Sequence, residues 1–335
     1  MTEPKHLLTI WLLSDGAPGH LSQSRGLVDA LARFRELRCI EVPLTLRRKW
    51  LKRLLRPCLP LSPALSRAVL PWIYRLEQPM TRPDLIVSSG GNTLLASALL
   101  ARELSVPNVY SGTRKGYPPA AFSCVVSVTP QGGPGNLVLP LPPVPAALVE
   151  RLPTANDKAP LCLLIGGDGA GYHYREQDWL ALCEGIKRIT ARCGRRWCIS
   201  TSRRTGAKAE ALLEQHLNAV VLEEIVYFNR SPRPVVREFL SRSALVFVTE
   251  DSLTMVAEAI YSSRPVFSLQ PEHYQGNQND ENALQTYVTQ GLLTRLPLTR
   301  LETLTLPEQP TAVTLPDVQA QIYAHLCPLL EKSPS

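Results

Sequence analysis

The chain has 335 residues, 44% of them apolar, and a formal net charge of +7. That length exceeds one ordinary core and points to two domains, while the apolar share excludes a disordered chain. The charge is local: between Val42 and Leu76 lie Arg47, Arg48, Lys49, Lys52, Arg53, Arg56, Arg67 and Arg75 with no acid. The rest of the chain is close to neutral.

The Leu7–Leu13 run has little positive flank and enters Ser-Asp-Gly directly, so it predicts a buried first strand and not a signal peptide. No stretch reaches the roughly 18 consecutive apolar residues of a membrane-spanning helix. The turn Ser14–His20 follows, then a helix from about Ser22 to Arg35. Asp15 and His20 stand at the carboxyl end of a strand, where open α/β sheets bind ligands. His20 is a candidate general base or hydrogen-bonding group.

Arg38–Leu46 predicts a second strand. In the basic segment after it, Trp50, Leu51, Leu54 and Leu55 fall on one helical face, with Lys49, Lys52, Arg53 and Arg56 on the other. A second apolar-basic stretch spans Ser62–Tyr74. Such a pattern suits a helix lying in an anionic membrane surface, or one packed on its own domain. No nucleic-acid-binding module is present. Asp84–Ser88 is the third strand, ending in Ser89-Gly90-Gly91-Asn92 before a helix through Arg102. Strands at Val106–Tyr110 and Cys124–Val128 complete a doubly wound parallel sheet. The chain is rich in Pro and Gly from Pro130 to Pro160, which predicts a domain linker.

Strand Leu161–Ile165 runs into Gly166-Gly167-Asp168-Gly169-Ala170-Gly171, whose spacing matches neither a Rossmann fingerprint nor a P-loop. Helix Gln177–Arg192 and strand Arg196–Ser200 lead to Thr201-Ser202-Arg203-Arg204-Thr205, hydroxyls and guanidiniums suited to phosphate oxygens. Helix Ala207–Leu217 and strand Ala219–Leu222 come next, then Tyr227-Phe228-Asn229, which could stack on and hydrogen-bond a base. Ala244–Val248 is a buried strand; Asp251 or Ser252 caps the helix after it, and Glu258 lies one turn past Thr254 on the same face. A helix N-terminus off a strand favours an anion. Strand Pro265–Leu269 exits into an amide-rich loop containing Gln270, His273, Gln278 and Asn279, suited to sugar hydroxyls. Helices at Asn282–Gln290 and Leu315–Leu330 end the chain. The eight cysteines form no Cys-x-x-Cys pair and predict reduced, buried thiols in a cytosolic protein, with no metal site.

The stretch Asp251–Ala259 resembles the donor-site helix of GT-B sugar-nucleotide enzymes. In non-hydrolysing UDP-N-acetylglucosamine 2-epimerases the similar motif contacts the diphosphate through backbone amides and the ribose through its last Glu, here Glu258. Pro18-Gly19-His20 and Gln278-Asn279 before Asn282-Ala283-Leu284 are similar to the lipid-linked N-acetylglucosaminyltransferase of peptidoglycan synthesis. Four motifs in order resemble the family named after the plant mitochondrial-fission factor of the elongated-mitochondria phenotype. They are Ser14-Asp15-Gly16-x-x-Gly19-His20-x-x-Gln23, Ile165-Gly166-Gly167, Thr201–Thr205 and Val248-Thr249-x-Asp251-Ser252-x-x-Met255-x-x-Glu258-Ala259. Its bacterial members are assigned as glycosyltransferases, including lipooligosaccharide outer-core enzymes.

The resemblance implies an α/β, GT-B architecture: two Rossmann-like domains facing across a cleft, with a C-terminal helix crossing back. The expected divisions are residues 1–140 with a basic insertion at 46–76, a linker at 141–159, a nucleotide-sugar domain at 160–315, and a helix and tail at 316–335. The implied activity is metal-independent transfer of a hexosyl or N-acetylhexosaminyl group from a nucleotide-diphosphate sugar to a lipid-linked saccharide. The acceptor would be lipopolysaccharide core at the cytoplasmic membrane face, and no resident cofactor is implied. Ser202, Arg203, Arg204, Thr205, Ser252, Leu253, Thr254 and Gly167 would meet the diphosphate, Glu258 the ribose, and Tyr227, Phe228 and Asn229 the base. Gly19, Gln23, Gly91, Asn92, Gln270, His273, Gln278 and Asn279 would meet sugar or acceptor, and Asp15 or His20 would deprotonate the acceptor. A non-catalytic membrane scaffold and a sugar-nucleotide epimerase are the alternatives.

Overall fold

The computed structural model of the chain describes residues 7–149, 158–307 and 311–331. The chain divides into two compact units, Met1–Ala147 with Pro316–Ser335, and Leu148–Leu315. In the first, β1 (Leu8–Ser14) is buried along its whole length, as a continuous apolar run must be at the centre of a parallel sheet covered on both faces. It is followed by α1 (Pro18–Ala32), β2 (Leu37–Leu46), α2 (Lys49–Leu55), α3 (Pro63–Ile73) and β3 (Tyr74–Leu76). Then come β4 (Leu85–Ser89), α4 (Leu94–Leu104), β5 (Asn108–Ser111), β6 (Cys124–Ser127) and β7 (Asn136–Val138). The strand order is β3-β2-β1-β4-β5-β6-β7, parallel except for the short β3, which runs antiparallel to β2.

The Pro- and Gly-rich stretch is not linker from its start. Asn136–Val138 adds a strand to the sheet, and the Asn136 amide donates to the Val125 carbonyl at 2.8 Å and the Ser127 hydroxyl at 2.9 Å. A single turn, α5 (Ala146–Val149), then begins with the Ala146 N–H on the Asp29 carboxylate at 2.8 Å. Of the residues assigned to the linker, 150–157 lie outside the described residues.

The basic segment differs from a simple two-faced helix. On α2, Leu51 and Leu55 pack against the core, but Trp50 and Leu54 stand 62% and 60% exposed. Lys52 and Arg56 turn inward, donating to the carbonyls of Gly91 and Lys115. Long side chains carry their charge some way from their helical position, so the face their Cα marks is not the face their nitrogen occupies. On α3, Leu70 and Ile73 are buried and Trp72 is 63% exposed, with the Arg48 guanidinium over its ring at 5.2 Å. No helix among the described residues is long and apolar enough to cross a membrane.

The second unit comprises β8 (Leu161–Leu164), α6 (Glu176–Cys193), β9 (Trp197–Ser200), α7 (Gly206–His216), β10 (Leu222–Val226) and α8 (Val236–Arg242). It continues with β11 (Leu245–Thr249), α9 (Leu253–Tyr261), β12 (Val266–Gln270), α10 (Gln278–Thr289) and β13 (Thr294–Pro297). Its sheet, β10-β9-β8-β11-β12-β13, is parallel throughout. That is the Rossmann order, with a change of winding direction between β8 and β11. Strand β10 begins where the expected strand at 219–222 ends. Asn218 turns back on Val220, which is 74% exposed, and the edge strand carries Glu223 and Glu224 in its middle. The last helix, α11 (Val318–Glu331), belongs to the first unit and lies on α1, where Phe34 stacks on Tyr323 at 4.3 Å and Arg33 pairs with Asp317 at 3.0 Å. All eight cysteines are free: Cys124, Cys162, Cys183 and Cys198 are buried, but Cys39, Cys58 and Cys193 are exposed.

Candidate functional site

Each sheet changes winding direction once, and the loops leaving its carboxyl edge there are where ligands of open α/β sheets bind. In the first unit these loops follow β1 and β4. Helix α1 starts at Pro18, four residues earlier than periodicity indicates, because proline at the first helical position loses no hydrogen bond and already has helical φ. Gly19 and His20 therefore belong to its first turn and not to a loop. That turn aims His20 Nδ1 at both oxygens of Asp15, 3.0 and 3.1 Å away. Asp15 also accepts from the Asn92 amide at 3.1 Å and the Ala17 N–H at 3.3 Å. Its side chain is 5% exposed and that of His20 41%. A carboxylate has no proton to donate, so Nδ1 carries the hydrogen and Nε2 is left as the basic nitrogen. The ring lies on Gly90, where a Cβ would come within 2.1 Å of Nδ1, and φ there is +91°. Only glycine suits that position.

Gln23, on α1, faces inward: its amide oxygen accepts from Ser89 at 3.0 Å and Ser111 at 3.1 Å, tying the helix to β4 and β5. The Asn92 carbonyl accepts from Tyr74 at 2.8 Å. Lys52 and Lys115 both reach Gly91. Burial, and then the Lys115 ammonium, lower the pKa of Lys52 from its ordinary value.

In the second unit the corresponding loops follow β8 and β11, with the β9 loop beside them. Ser202 and Thr205 both donate to the Gly166 carbonyl at 2.6 Å, and the Gly166 N–H donates to Thr249 at 2.7 Å. The ends of three strands are thereby tied together. Arg204 crosses this knot to Asp251, with Nη2 to Oδ2 at 2.5 Å and Nη1 to the Asp251 carbonyl at 3.3 Å. The Asp251 side chain is fully buried and Arg204 is 32% exposed. Burial raises the Asp251 pKa and the guanidinium opposes that shift. The glycine run is shaped by this pair: a Cβ at Gly166 would lie 2.0 Å from Asp251, and one at Gly167, where φ is +139°, 2.2 Å from the Arg204 carbonyl.

Ser252, and not Asp251, caps α9, accepting from Met255 N at 3.5 Å. The amides of Leu253 and Thr254 open the helix and have no acceptor within it. Arg204 thus lies beside the residues that open α9, whose positive end favours an anion, while Arg203 next to it is exposed. Glu258 is half-buried one turn further along.

A family model described as Mitochondrial fission ELM1 matches residues 143–314, just over half of the chain and nearly the whole second unit. The chain belongs to that family. No curated protein sequence matches it. Among solved structures, the UDP-GlcNAc 2-epimerase of Methanocaldococcus jannaschii is similar at TM-score 0.53 and 14% identity, over 96% of this chain and 99% of that one. The S. aureus MnaA–UDP co-structure is similar at TM-score 0.50 and 13% identity over 98% and 99%. A glycosyltransferase of kitacinnamycin gives TM-score 0.50 and 12% identity over 98% and 91%. At such identities the likeness concerns the fold, which is that of GT-B proteins: two Rossmann-like α/β units.

For this ELM1-family chain the remaining expected site residues fall into separate places. Asn229 donates to buried Glu210 at 3.0 Å and to the Ser202 carbonyl at 3.1 Å, while Phe228 is 40% exposed and Tyr227 lies under Arg230 at 5.0 Å. Gln278 and Asn279 are in the first turn of α10, capped by Asn277, and Gln278 bonds Asn282 at 2.9 Å. The run of amides continues into a helix because Asn277 accepts from Asp280 N. Gln270 reaches the Tyr274 hydroxyl at 3.3 Å, and exposed His273 neighbours Glu272 at 4.0 Å.

Sequence reasoning missed the buried charges. Glu250 accepts from Arg295 at 2.9 and 2.8 Å and from Ser268 at 2.6 Å, and Arg295 also pairs with Glu281. This joins β12, β13 and α10. Glu210 accepts from Thr201 at 2.6 Å and fixes the turn that carries Phe228. The available signal was Thr249-Glu250-Asp251 itself, two acids wedged between a fully buried strand and a helix, where each needs a cationic or hydroxyl partner.

Proposed function

We propose that the protein transfers a glycosyl group from a nucleotide-diphosphate sugar to a lipid-linked saccharide, of the lipopolysaccharide core type, at the cytoplasmic face of a membrane. The donor belongs to the second unit and the acceptor to the first. The observation that carries this reading is Arg204, held by Asp251 directly before the open amides of α9, at the switch point of a Rossmann sheet. Guanidinium and helix dipole would stabilise the charge that develops on the departing diphosphate. Glu258 would hold the ribose and the Tyr227–Asn229 turn the base. Ser202 and Thr205, whose hydroxyls are engaged by main-chain carbonyls, serve by holding the arginine turn. In the reaction the acceptor oxygen bonds to the anomeric carbon as its bond to the diphosphate breaks. The acceptor proton passes to His20 Nε2, and the nucleoside diphosphate leaves.

Saturation with the right nucleoside diphosphate is expected to raise the melting temperature by about 5–10 °C, for ligand near 100 times its dissociation constant. Differential scanning against uridine, adenosine, guanosine and cytidine diphosphates checks this. No shift with any of them overturns the donor site and leaves a binding scaffold. Product formed without an acceptor would point to an epimerase.

Exposed Trp50, Leu54 and Trp72 beside Arg48 and Arg53 support docking on anionic lipid. Pelleting with phosphatidylglycerol vesicles should weaken roughly tenfold or more when Arg48 and Arg53 are changed to Ser. It should weaken again when Trp50 and Trp72 become Ala. Unchanged pelleting in both variants removes the membrane role.

A further inference from the structure

The first unit's site holds positive charge that the Asp15–His20 pair does not use. Lys52 donates to the Gly91 carbonyl, and Lys115 Nζ lies 2.9 Å from where a Cβ on Gly91 would sit. Two ammoniums therefore meet at one glycine, in the turn that carries Asn92 and packs Gly90 under His20. They repel: after burial, Lys115 is the largest influence lowering the pKa of Lys52, Lys49 adds to it, and Asp15 opposes it. Asp15, the acid of the site, is already engaged by His20 and Asn92. Lys115 is moreover held at φ +51°, a region that side-chain-bearing residues rarely occupy, while Arg56 grips its carbonyl at 2.8 Å. Backbone strain of this kind persists where the surroundings impose it and clusters at binding sites. Like charges brought together on a constrained loop weaken the fold; an anion between them reverses the sign of that contribution.

We propose that Lys52 and Lys115 form a phosphate-binding site beside His20, occupied by the phosphate ester of the acceptor. The acceptor part of this assignment rests on the glycosyl-transfer reading above; the anion site does not. A phosphate anchored at Gly91 would place the saccharide attached to it within reach of the imidazole, and it explains why two residues of the basic segment turn inward while their neighbours face solvent.

Calorimetric titration of the full chain with inorganic pyrophosphate tests the site. Lys52→Ala and Lys115→Ala are each expected to weaken binding at least about tenfold, since each removes a charge-assisted contact. Lys208→Ala, which makes the same charge change on α7, should leave affinity within about twofold, and Lys52→Arg with Lys115→Arg should retain part of it. Equal weakening by Lys208→Ala, or full affinity in both alanine variants with unchanged melting temperatures, overturns the site. Pyrophosphate binding that depends on the two lysines and persists under saturating nucleoside diphosphate supports the acceptor as its source, and loss of that lysine-dependent binding to competition overturns the assignment. If no nucleotide binds while pyrophosphate binding still depends on the two lysines, the donor reading fails and the anion site stands.

Discussion

Replacing Arg204 by Ala is expected to lower the unfolding free energy by about 3–5 kcal/mol, among the largest effects of any single polar substitution in the chain. Asp251 is fully buried, and Arg204 is the cation within hydrogen-bonding distance of it. Removing the arginine leaves the carboxylate with neutral partners alone, the Tyr174 hydroxyl at 3.3 Å, the Thr249 side chain and main-chain N–H groups including that of Gly167, and no cation to offset lost hydration. The loss should depend on pH, in a direction that can be worked out. Burial already raises the Asp251 pKa above the ordinary carboxylate value, and Arg204 is the largest influence opposing that rise. A raised folded pKa means that stability is fully present below the unfolded pKa and is lost as pH rises through the folded one. Without Arg204 the folded pKa climbs further, so the deficit should be greatest at neutral pH and should shrink as the solution is acidified through the carboxylate range. Urea titrations at several pH values measure this. Adding Asp251→Asn to Arg204→Ala should recover part of the loss at neutral pH, because the stranded charge is gone. A deficit independent of pH, with no recovery in the double variant, would mean that the pair contributes little and that Arg204 acts by packing alone.

The same pair shows where the sequence was legible and where it was not. The central strands β1, β4, β8 and β11 are buried along their length and apolar save for small hydroxyl residues such as Thr9, Ser88 and Thr249, so composition alone places them. Asp251 or Ser252 after such a run marks the start of α9 to within one residue, and Ser252 is the cap. The edges are harder: β7 is three residues long and follows a Gly-Pro-Gly stretch, and β10 carries two glutamates in its middle. Neither has the alternation or length that distinguishes a strand from a loop. The starts of α1 and α10 were obscured because proline at a first helical position and asparagine at a cap look like loop residues until the turn is seen to continue. Charge pairing was least legible. Periodicity puts Lys52 on the basic face of a helix, and the Thr201–Thr205 turn offers Arg204 to phosphate, yet Arg204 crosses to Asp251 and Lys52 to Gly91. Which partner a long side chain reaches depends on strand order, and that information is spread across 47 residues in one case and 39 in the other.

Changing His20 to Ala should lower kcat by about 10²–10⁴, the range spanned by a positioned general base, while nucleotide binding to the second unit is unchanged. On the proposed glycosyl transfer, the geometry favours His20 over Asp15 as the proton acceptor. Asp15 faces Nδ1 with both oxygens and is 5% exposed, whereas the imidazole is 41% exposed and keeps Nε2. In that reading Asp15 is a positioning residue, whose carboxylate would fix the tautomer and stabilise the imidazolium as the acceptor proton arrives. Asp15→Asn should therefore reduce kcat with little change in acceptor KM. The amide can present its NH2 to Nδ1, which stabilises the opposite tautomer and puts the hydrogen on Nε2. Loss of fold does not account for these effects, since Asp15 keeps the Asn92 amide and the Ala17 N–H when the ring is removed. Added imidazole offers the cleanest separation, because it can replace a missing base but cannot repair a missing structural contact. Recovery of turnover in His20→Ala with imidazole, and none in Asp15→Asn, is the expected pattern. A kcat for His20→Ala within about threefold of the parent enzyme would place the proton transfer elsewhere and leave the Asp15–His20 contact as a clamp between α1 and the β1 loop.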